Sequence, residues 1–324
     1  MFSLRECQSL IDHKFRELEL PQSPANLYEP IRYMLDLEAK RIRPSLVLMG
    51  CNVFSDDIGQ AIYPALAVEV FHNFTLMHDD IMDQSAMRRK HPSVYAKWNL
   101  NVAILAGDAM LIKAYELLSS ASQANPQKIL QVFNQTALEV CEGQQYDMDY
   151  EQSTVISIAD YIRMVELKTA VLLAASLKIG ALLGGAGEKE SDCLYEFGKN
   201  IGIAFQLQDD LLDVFADPAQ FGKVTGNDIV SNKKTILLIE ALSRAEGGAR
   251  EKLLKWISRK DYDRDEKIRA VKSVYTELRL AESVTDKIRH YHEMAVGHLN
   301  NLCAEPDRKS ELLAFSNYLM NRKK

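Results

Sequence analysis

Helical spacing runs through most of this 324-residue chain, and little interrupts it. Apolar residues recur three and four apart, the period of an amphipathic helix. Alternating runs closed by Asn-Gly or Asp-Gly turns, the mark of hairpins, are missing. Nine prolines and fifteen glycines fall mostly between the amphipathic runs. Breaks are expected at Pro44, Pro92, Asn125-Pro126, 184–187, 218–226 and Gly247-Gly248. No linker rich in Gly, Ser or Pro divides the chain, and no solenoid period is visible. The expectation is an all-α fold, a single domain over 1–324, built as one large bundle of roughly ten or more helices. The highly charged, amphipathic stretch after Asp261 is expected to pack on the outside of that bundle.

Composition narrows the function. A formal net charge of −6 gives no reason to expect nucleic acid as a partner. Cys7, Cys51, Cys141, Cys193 and Cys303 are scattered and form no CxxC pair, so neither a zinc site nor a disulfide framework is suggested. Free thiols fit a cytoplasmic protein. The N-terminus carries charges where a signal peptide has an apolar run. The longest apolar stretch, 169–187, is interrupted by Lys178 and rich in Ala and Gly. It reads as a buried core helix rather than a membrane span.

One pattern occurs twice. FTLMHDDIMD (74–83) and AFQLQDDLLD (204–213) both carry DDxxD. On a helix, Asp79, Asp80 and Asp83 share a face, as do Asp209, Asp210 and Asp213. Two carboxylates about 6 Å apart repel by roughly 3 kcal/mol at an effective dielectric near 20. No Lys or Arg stands three or four positions from either cluster to offset this, and Asp217 adds a further acid to the second. Such patches suit Mg²⁺, which takes a few carboxylates and completes its shell with water and phosphate. A solvated acidic face is the competing reading for one copy. An EF-hand-like calcium site would need a Gly-containing loop that neither copy has.

Basic groups accompany the acids. Lys40-Arg41-Ile42-Arg43-Pro44 is expected to end a helix, Arg88-Arg89-Lys90 follows the first DDxxD, Lys223 lies in a Gly-bearing loop, and Lys233-Lys234-Thr235 opens another helix. Arg suits forked recognition of phosphate oxygens and Lys supplies point charge. His72 stands on the helical stripe that leads through Leu76 to Asp79 and Asp83. Taken singly, each basic group reads as surface charge, and a lone His on an apolar helix reads as core. Acid, Mg²⁺ and diphosphate together need both signs of charge.

In this order, six segments resemble the trans-isoprenyl diphosphate synthase family: KRIRP, the first DDxxD with its Arg pair, GQQYD (143–147), LKTA (167–170), the second DDxxD, and GKVTGNDIVSNKKT. Glu38-Ala39 and Lys90 depart from the family's usual glycines. The resemblance implies a bundle of the isoprenoid synthase type, three Mg²⁺ ions and a homodimer. It implies that Lys40, Arg43, His72 and Arg89 hold isopentenyl diphosphate. Arg88, Lys168, Thr169, Gln206, Lys223 and Lys233 would grip an allylic diphosphate: dimethylallyl, geranyl or farnesyl. Asp79, Asp83 and Asp209 would be the main metal ligands, supported by Asp80, Asp210 and Asp213.

The chemistry so implied is prenyl transfer. A class I terpene cyclase would share the fold but has no use for Lys40, Arg43 and Arg89. A non-catalytic partner subunit should lack acids in one motif, and this chain keeps both. Product length is read from Phe74, five residues before Asp79 and so about 7.5 Å along the helix axis. Its ring would floor the elongation cavity, with plain core packing as the alternative. Thr75, smaller than an aromatic, tilts the expected product to geranylgeranyl diphosphate, with farnesyl diphosphate next.

Overall fold

The computed structural model describes residues 1–120, 125–153, 155–216 and 225–320, in which the regular structure is helical apart from one two-stranded hairpin. Two compact units are distinguishable, each assembled from separate stretches of chain. The first takes Met1–Thr136, Leu172–Tyr195 and Asn301–Leu312; the second takes Ala137–Val171, Glu196–Asn300 and Leu313–Lys324.

In the first unit, α1 (Leu4–Arg16) begins at a reciprocal cap in which Ser3 and Glu6 satisfy each other's backbone donors. Helices α2 (Ala25–Asp36) and α3 (Ile42–Phe54) follow, then α4 (Ile62–Met82), short α5 (Val94–Lys97) and α6 (Leu100–Ser120). Helix α4 packs along α6 and against α3. It is buried without a gap from Pro64 to Phe71, because that stretch is apolar on every side except at Glu69. Asn125, at φ 64°, and Pro126 form the expected break before α7 (Pro126–Gln152), where proline loses no helical hydrogen bond. The apolar stretch that includes α9 (Val171–Leu183) is core: Leu172 to Leu177 are buried, and a Cβ at Gly180 would lie 2.1 Å from the Val47 carbonyl oxygen. Among the described residues, no helix is long and apolar enough to cross a membrane.

The second unit contains α8 (Ile158–Val165), a π-helical turn (Glu166–Ala170), most of α10 (Glu188–Phe215), α11 (Asn227–Ser231), α12 (Ile236–Arg244), α13 (Gly247–Ser258), α14 (Arg264–Glu277) and nearly all of α15 (Leu280–Asn301). The last helix among the described residues is α16 (Pro306–Met320). The second core gathers Leu207, Val214, Leu237, Leu253, Val274, Tyr275 and Val284. This corrects the expectation for the charged tail. Helices α14 and α15 turn an apolar stripe into the core and leave only their charged faces outside.

Two further expectations need correction. The KRIRP segment starts α3 instead of ending a helix. Arg41 precedes it at φ 47°, and Pro44 sits in the first turn, where its missing N–H costs nothing. A hairpin also exists where no alternation announced one: β1 (Met87–Arg88) pairs antiparallel with β2 (His91–Pro92). Arg89 and Lys90 turn it with φ of 50° and 68°, the two-residue geometry that favours Asn-Gly. Lys90 thus occupies a conformation that glycine adopts freely. Lys90→Gly should raise stability by up to about 1 kcal/mol, and Lys90→Val should lower it by about as much or more. Denaturant midpoints with opposite shifts check this.

Candidate functional site

Both DDxxD motifs lie in the last turns of their helices. Helix α4 ends at Met82 with Asp83 as its C-cap, and α10 ends at Phe215. The free carbonyls of a helix C-terminus carry partial negative charge. Carboxylates added there deepen a potential that only cations relieve. The sequence echo is also an echo in burial: Asp80 and Asp210 are buried, while Asp79 and Asp209 are half-buried.

In the first unit, the relief comes from eight residues downstream rather than from the helix. Arg88 donates to Asp80 Oδ1 through Nη2 at 2.6 Å and Nε at 3.0 Å, and its Nη2 lies 3.5 Å from Asp79 Oδ2. Burial pushes the Asp80 carboxyl up against this pairing. Arg89 turns to a different set. Its Nη1 reaches the Leu37 carbonyl at 3.3 Å and Asn73 Oδ1 at 3.4 Å. Asn73 in turn donates to the Glu69 carbonyl at 2.8 Å.

Arg43 belongs to the Arg89 set. Its Nη1 lies 3.1 Å from His72 Nε2. A guanidinium only donates, so His72 accepts through Nε2 and keeps its proton on Nδ1. Burial and the charges of Arg43, Arg89, Arg88 and Arg41 hold the imidazole well below its usual pKa, so it is neutral. Burial brings Arg43 down to about 10, and its Nε is buried without a hydrogen-bond partner. Arg41 turns inward instead. At 6% exposure it donates to Glu69 Oε1 at 2.9 Å and to the Leu35 carbonyl at 2.6 Å, with Phe15 under its guanidinium. Lys40 is exposed. Phe74 is 9% exposed, tilted on Phe71 at 5.5 Å and edge-on to His78 at 4.8 Å. Thr75 donates its hydroxyl back to the His72 carbonyl at 2.8 Å.

In the second unit, the π-helical turn carries LKTA. Gly143 is the residue that lets α7 approach it: a Cβ there would fall 2.3 Å from the Lys168 amide nitrogen. Lys168 Nζ then donates to Asp147 Oδ2 at 2.6 Å. Thr169 reaches Gln206 Oε1 at 3.5 Å, and Gln206 Nε2 donates to Asp210 Oδ1 at 3.0 Å. Tyr161 donates to the other oxygen of Asp210. Burial raises Asp210 to about 6, against these donors and the nearby charge of Lys233. Asp213 Oδ2 accepts the Asp228 amide at 3.1 Å. Asp228 itself is raised to about 7, by burial and then by Asp213, Asp210 and Asp209. Lys233 is exposed, with its amide on the Asp228 carbonyl at 2.9 Å. Lys223 and Asp217 lie outside the described residues.

This crowding of acids is the test of whether Mg²⁺ fits. Asp228 is held up by burial and by the charges of Asp213, Asp210 and Asp209, as an acid short of positive charge is. Among the described residues no three acidic, His or Cys side chains converge into a ready cage. Sequence reasoning missed Asp228, Tyr161, Asn73 and Glu69. Asp228 stands in the GKVTGNDIVSNKKT segment, but its approach to Asp213 is tertiary. Tyr161 is 49 residues from Asp210 and carried no signal.

The fold and these acid-and-cation sets define a transferase of the all-α isoprenoid synthase class. The pattern of the Polyprenyl synthetase family matches residues 24–276. A geranylgeranyl diphosphate synthase of Methanosarcina mazei is 41% identical over 244 residues, 74% of this chain and 75% of its own. A geranylfarnesyl diphosphate synthase of Natronomonas pharaonis is 36% identical over 257 residues, 74% of this chain and 75% of its own. A crystal structure of geranylgeranyl pyrophosphate synthase superposes with a TM-score of 0.94 at 40% identity, covering 100% of both chains. The chain belongs to the Polyprenyl synthetase family and is a trans-prenyltransferase. Members of this family use isoprenyl diphosphates and are generally Mg²⁺-dependent.

Proposed function

We propose that this enzyme joins isopentenyl diphosphate to dimethylallyl, geranyl or farnesyl diphosphate and releases geranylgeranyl diphosphate. It acts in the cytoplasm as a homodimer of one catalytic domain. The observation that carries the reading is the Arg43, His72 and Arg89 set. It is a half-buried cationic group with a buried, unsatisfied guanidinium nitrogen beside a neutral imidazole. A cyclase has one diphosphate to hold and no need of this second anion site. A homodimer accords with the apolar exposed side chains Ile104, Leu105 and Ile112 on α6, which are 42%, 60% and 69% exposed.

In the reaction, the allylic C–O bond breaks and its electron pair leaves with the diphosphate. The isopentenyl double bond attacks the cation, and the departing diphosphate takes the proton lost. Magnesium, when bound, neutralises the charge growing on that leaving group. Asp79, Asp83 and Asp209 would be its main ligands. Asp80, Asp210 and Asp213 would fix them, Asp80 through Arg88 and Asp210 through Tyr161 and Gln206. Lys168, Thr169, Lys223 and Lys233 complete the allylic grip, and Lys40 adds charge for isopentenyl diphosphate. No protein base is needed. The apolar walls of α4, Phe71 and Phe74 among them, exclude the water that would quench the cation.

The adjacent arginines test the assignment. Arg88→Lys and Arg89→Lys keep charge but lose the fork. Arg88→Lys should mainly raise KM for the allylic diphosphate, and Arg89→Lys mainly that for isopentenyl diphosphate, each by about tenfold. Equal effects on both substrates would contradict it. Product sizing separates geranylgeranyl from the farnesyl product, the next reading, and from the geranylfarnesyl product that the Natronomonas relative's name suggests.

A further inference from the structure

Lys267 is fully buried in the second unit, at 0% exposure. Its Nζ donates to the Val230 carbonyl at 3.0 Å and lies 4.2 Å from the centre of the Tyr262 ring. A buried ammonium is costly, and a Met would fill the same space without that cost. The carbonyl it holds explains its presence. Val230 lies in the last turn of α11, whose carbonyls have no partner within so short a helix. Tyr262 Oη donates to the same oxygen at 2.9 Å.

The rest of the segment is clasped from the same side. Arg264 Nη2 donates to Asn227 Oδ1 at 2.8 Å. Ile268 lies under Gly226, whose φ is 81° and whose missing Cβ would meet it at 2.8 Å. From the other side, the end of α10 takes hold. The Gly226 amide donates to the Asp213 carbonyl at 2.6 Å, and the Asp228 amide to Asp213 Oδ2 at 3.1 Å. The Lys233 amide is fixed on the Asp228 carbonyl at 2.9 Å. The strip 226–233 is therefore held between α14 and the second DDxxD.

We propose that Lys267, assisted by Tyr262 and Arg264, is a positioning residue that presents Asp228 and Lys233 to the allylic diphosphate. The proposal rests on the reading that the second unit's acids and Lys233 serve that substrate. Lys267 touches no reacting atom. It acts through the Val230 carbonyl, and its removal frees the strip without removing a charge from the site's rim.

The experiment compares Lys267→Met, Tyr262→Phe and Lys233→Ala. Amide hydrogen exchange across 226–233 is measured by mass spectrometry, beside KM for each substrate and the denaturant midpoint. In Lys267→Met, exchange in the strip should rise and KM for the allylic diphosphate should increase about tenfold, with KM for isopentenyl diphosphate within about twofold. Tyr262→Phe, which keeps the ring and loses one donor, should move both readouts the same way by less. It carries the test if Lys267→Met does not fold. Wild-type exchange and KM in a folded Lys267→Met, with Lys233→Ala raising the allylic KM, would overturn the positioning role alone. An equal rise in both KM values with a lowered midpoint would reduce Lys267 to general stability and overturn it as well. If Lys233→Ala raises KM only for isopentenyl diphosphate, the underlying assignment fails whatever Lys267 does.

Discussion

Asp79→Ala and Asp209→Ala should each lower turnover by about a thousandfold or more while the fold persists. Each acid is half-buried at a helix C-terminus, beside a second acid that already has donors of its own. Asp80 and Asp210 are tied to Arg88 and to Tyr161 and Gln206, so neither can swing out to replace the missing ligand. The apoprotein should not suffer. Asp209 is among the charges that raise Asp228, so its removal relieves repulsion. The measurement is turnover together with the denaturant midpoint, each with and without Mg²⁺ and a diphosphate. Wild type gains stability from the ligands by mass action, and the variants should lose most of that gain. Turnover near wild type in either variant would remove that cluster from metal binding.

Phe74→Ala should lengthen the product without abolishing the reaction. The ring is nearly buried, about 7.5 Å along α4 from Asp79 by helical rise, and it cannot retreat, because Phe71 lies behind it at 5.5 Å and His78 braces its edge at 4.8 Å. A close-packed wall of this kind yields little to a growing chain. The brace has its own support. His78 Nε2 lies 3.2 Å from the Ile104 carbonyl, and a Cβ on Gly107 would fall 2.2 Å from that nitrogen. Gly107→Ala should therefore displace His78, loosen Phe74 and shift products the same way to a smaller degree. Products are sized at one fixed substrate ratio. An unchanged distribution in Phe74→Ala would take Phe74 out of the role.

The helices and both acid motifs were legible because their signals are local: period, spacing and the scarcity of breakers. KRIRP shows where locality ends. Three basic residues in five positions look alike in sequence, yet Lys40 is exposed, Arg41 is sunk against Glu69, and Arg43 meets His72. Only the turn at Arg41 decides which way each points. The relief of the first acid cluster was illegible for a similar reason. A search at helical spacing cannot find a cation that returns on a hairpin, and a two-residue strand has no alternation to detect. The tail after Asp261 is legible as amphipathic, but nothing local says that its stripe completes the second core, and Lys267 is the extreme case.

The hairpin itself carries a consequence for how such a chain can vary. Arg88 ends the first strand and Arg89 begins the two-residue turn, so one peptide bond separates the residue bound to Asp80 from the residue bound to Asn73. A two-residue turn has no slack. Inserting or deleting one residue between Arg88 and His91 would change the strand register and swing both guanidiniums off their partners together. Side chains on the turn can therefore be exchanged more readily than its length can be changed. The spacing between the two guanidiniums is thus set by the hairpin's own geometry.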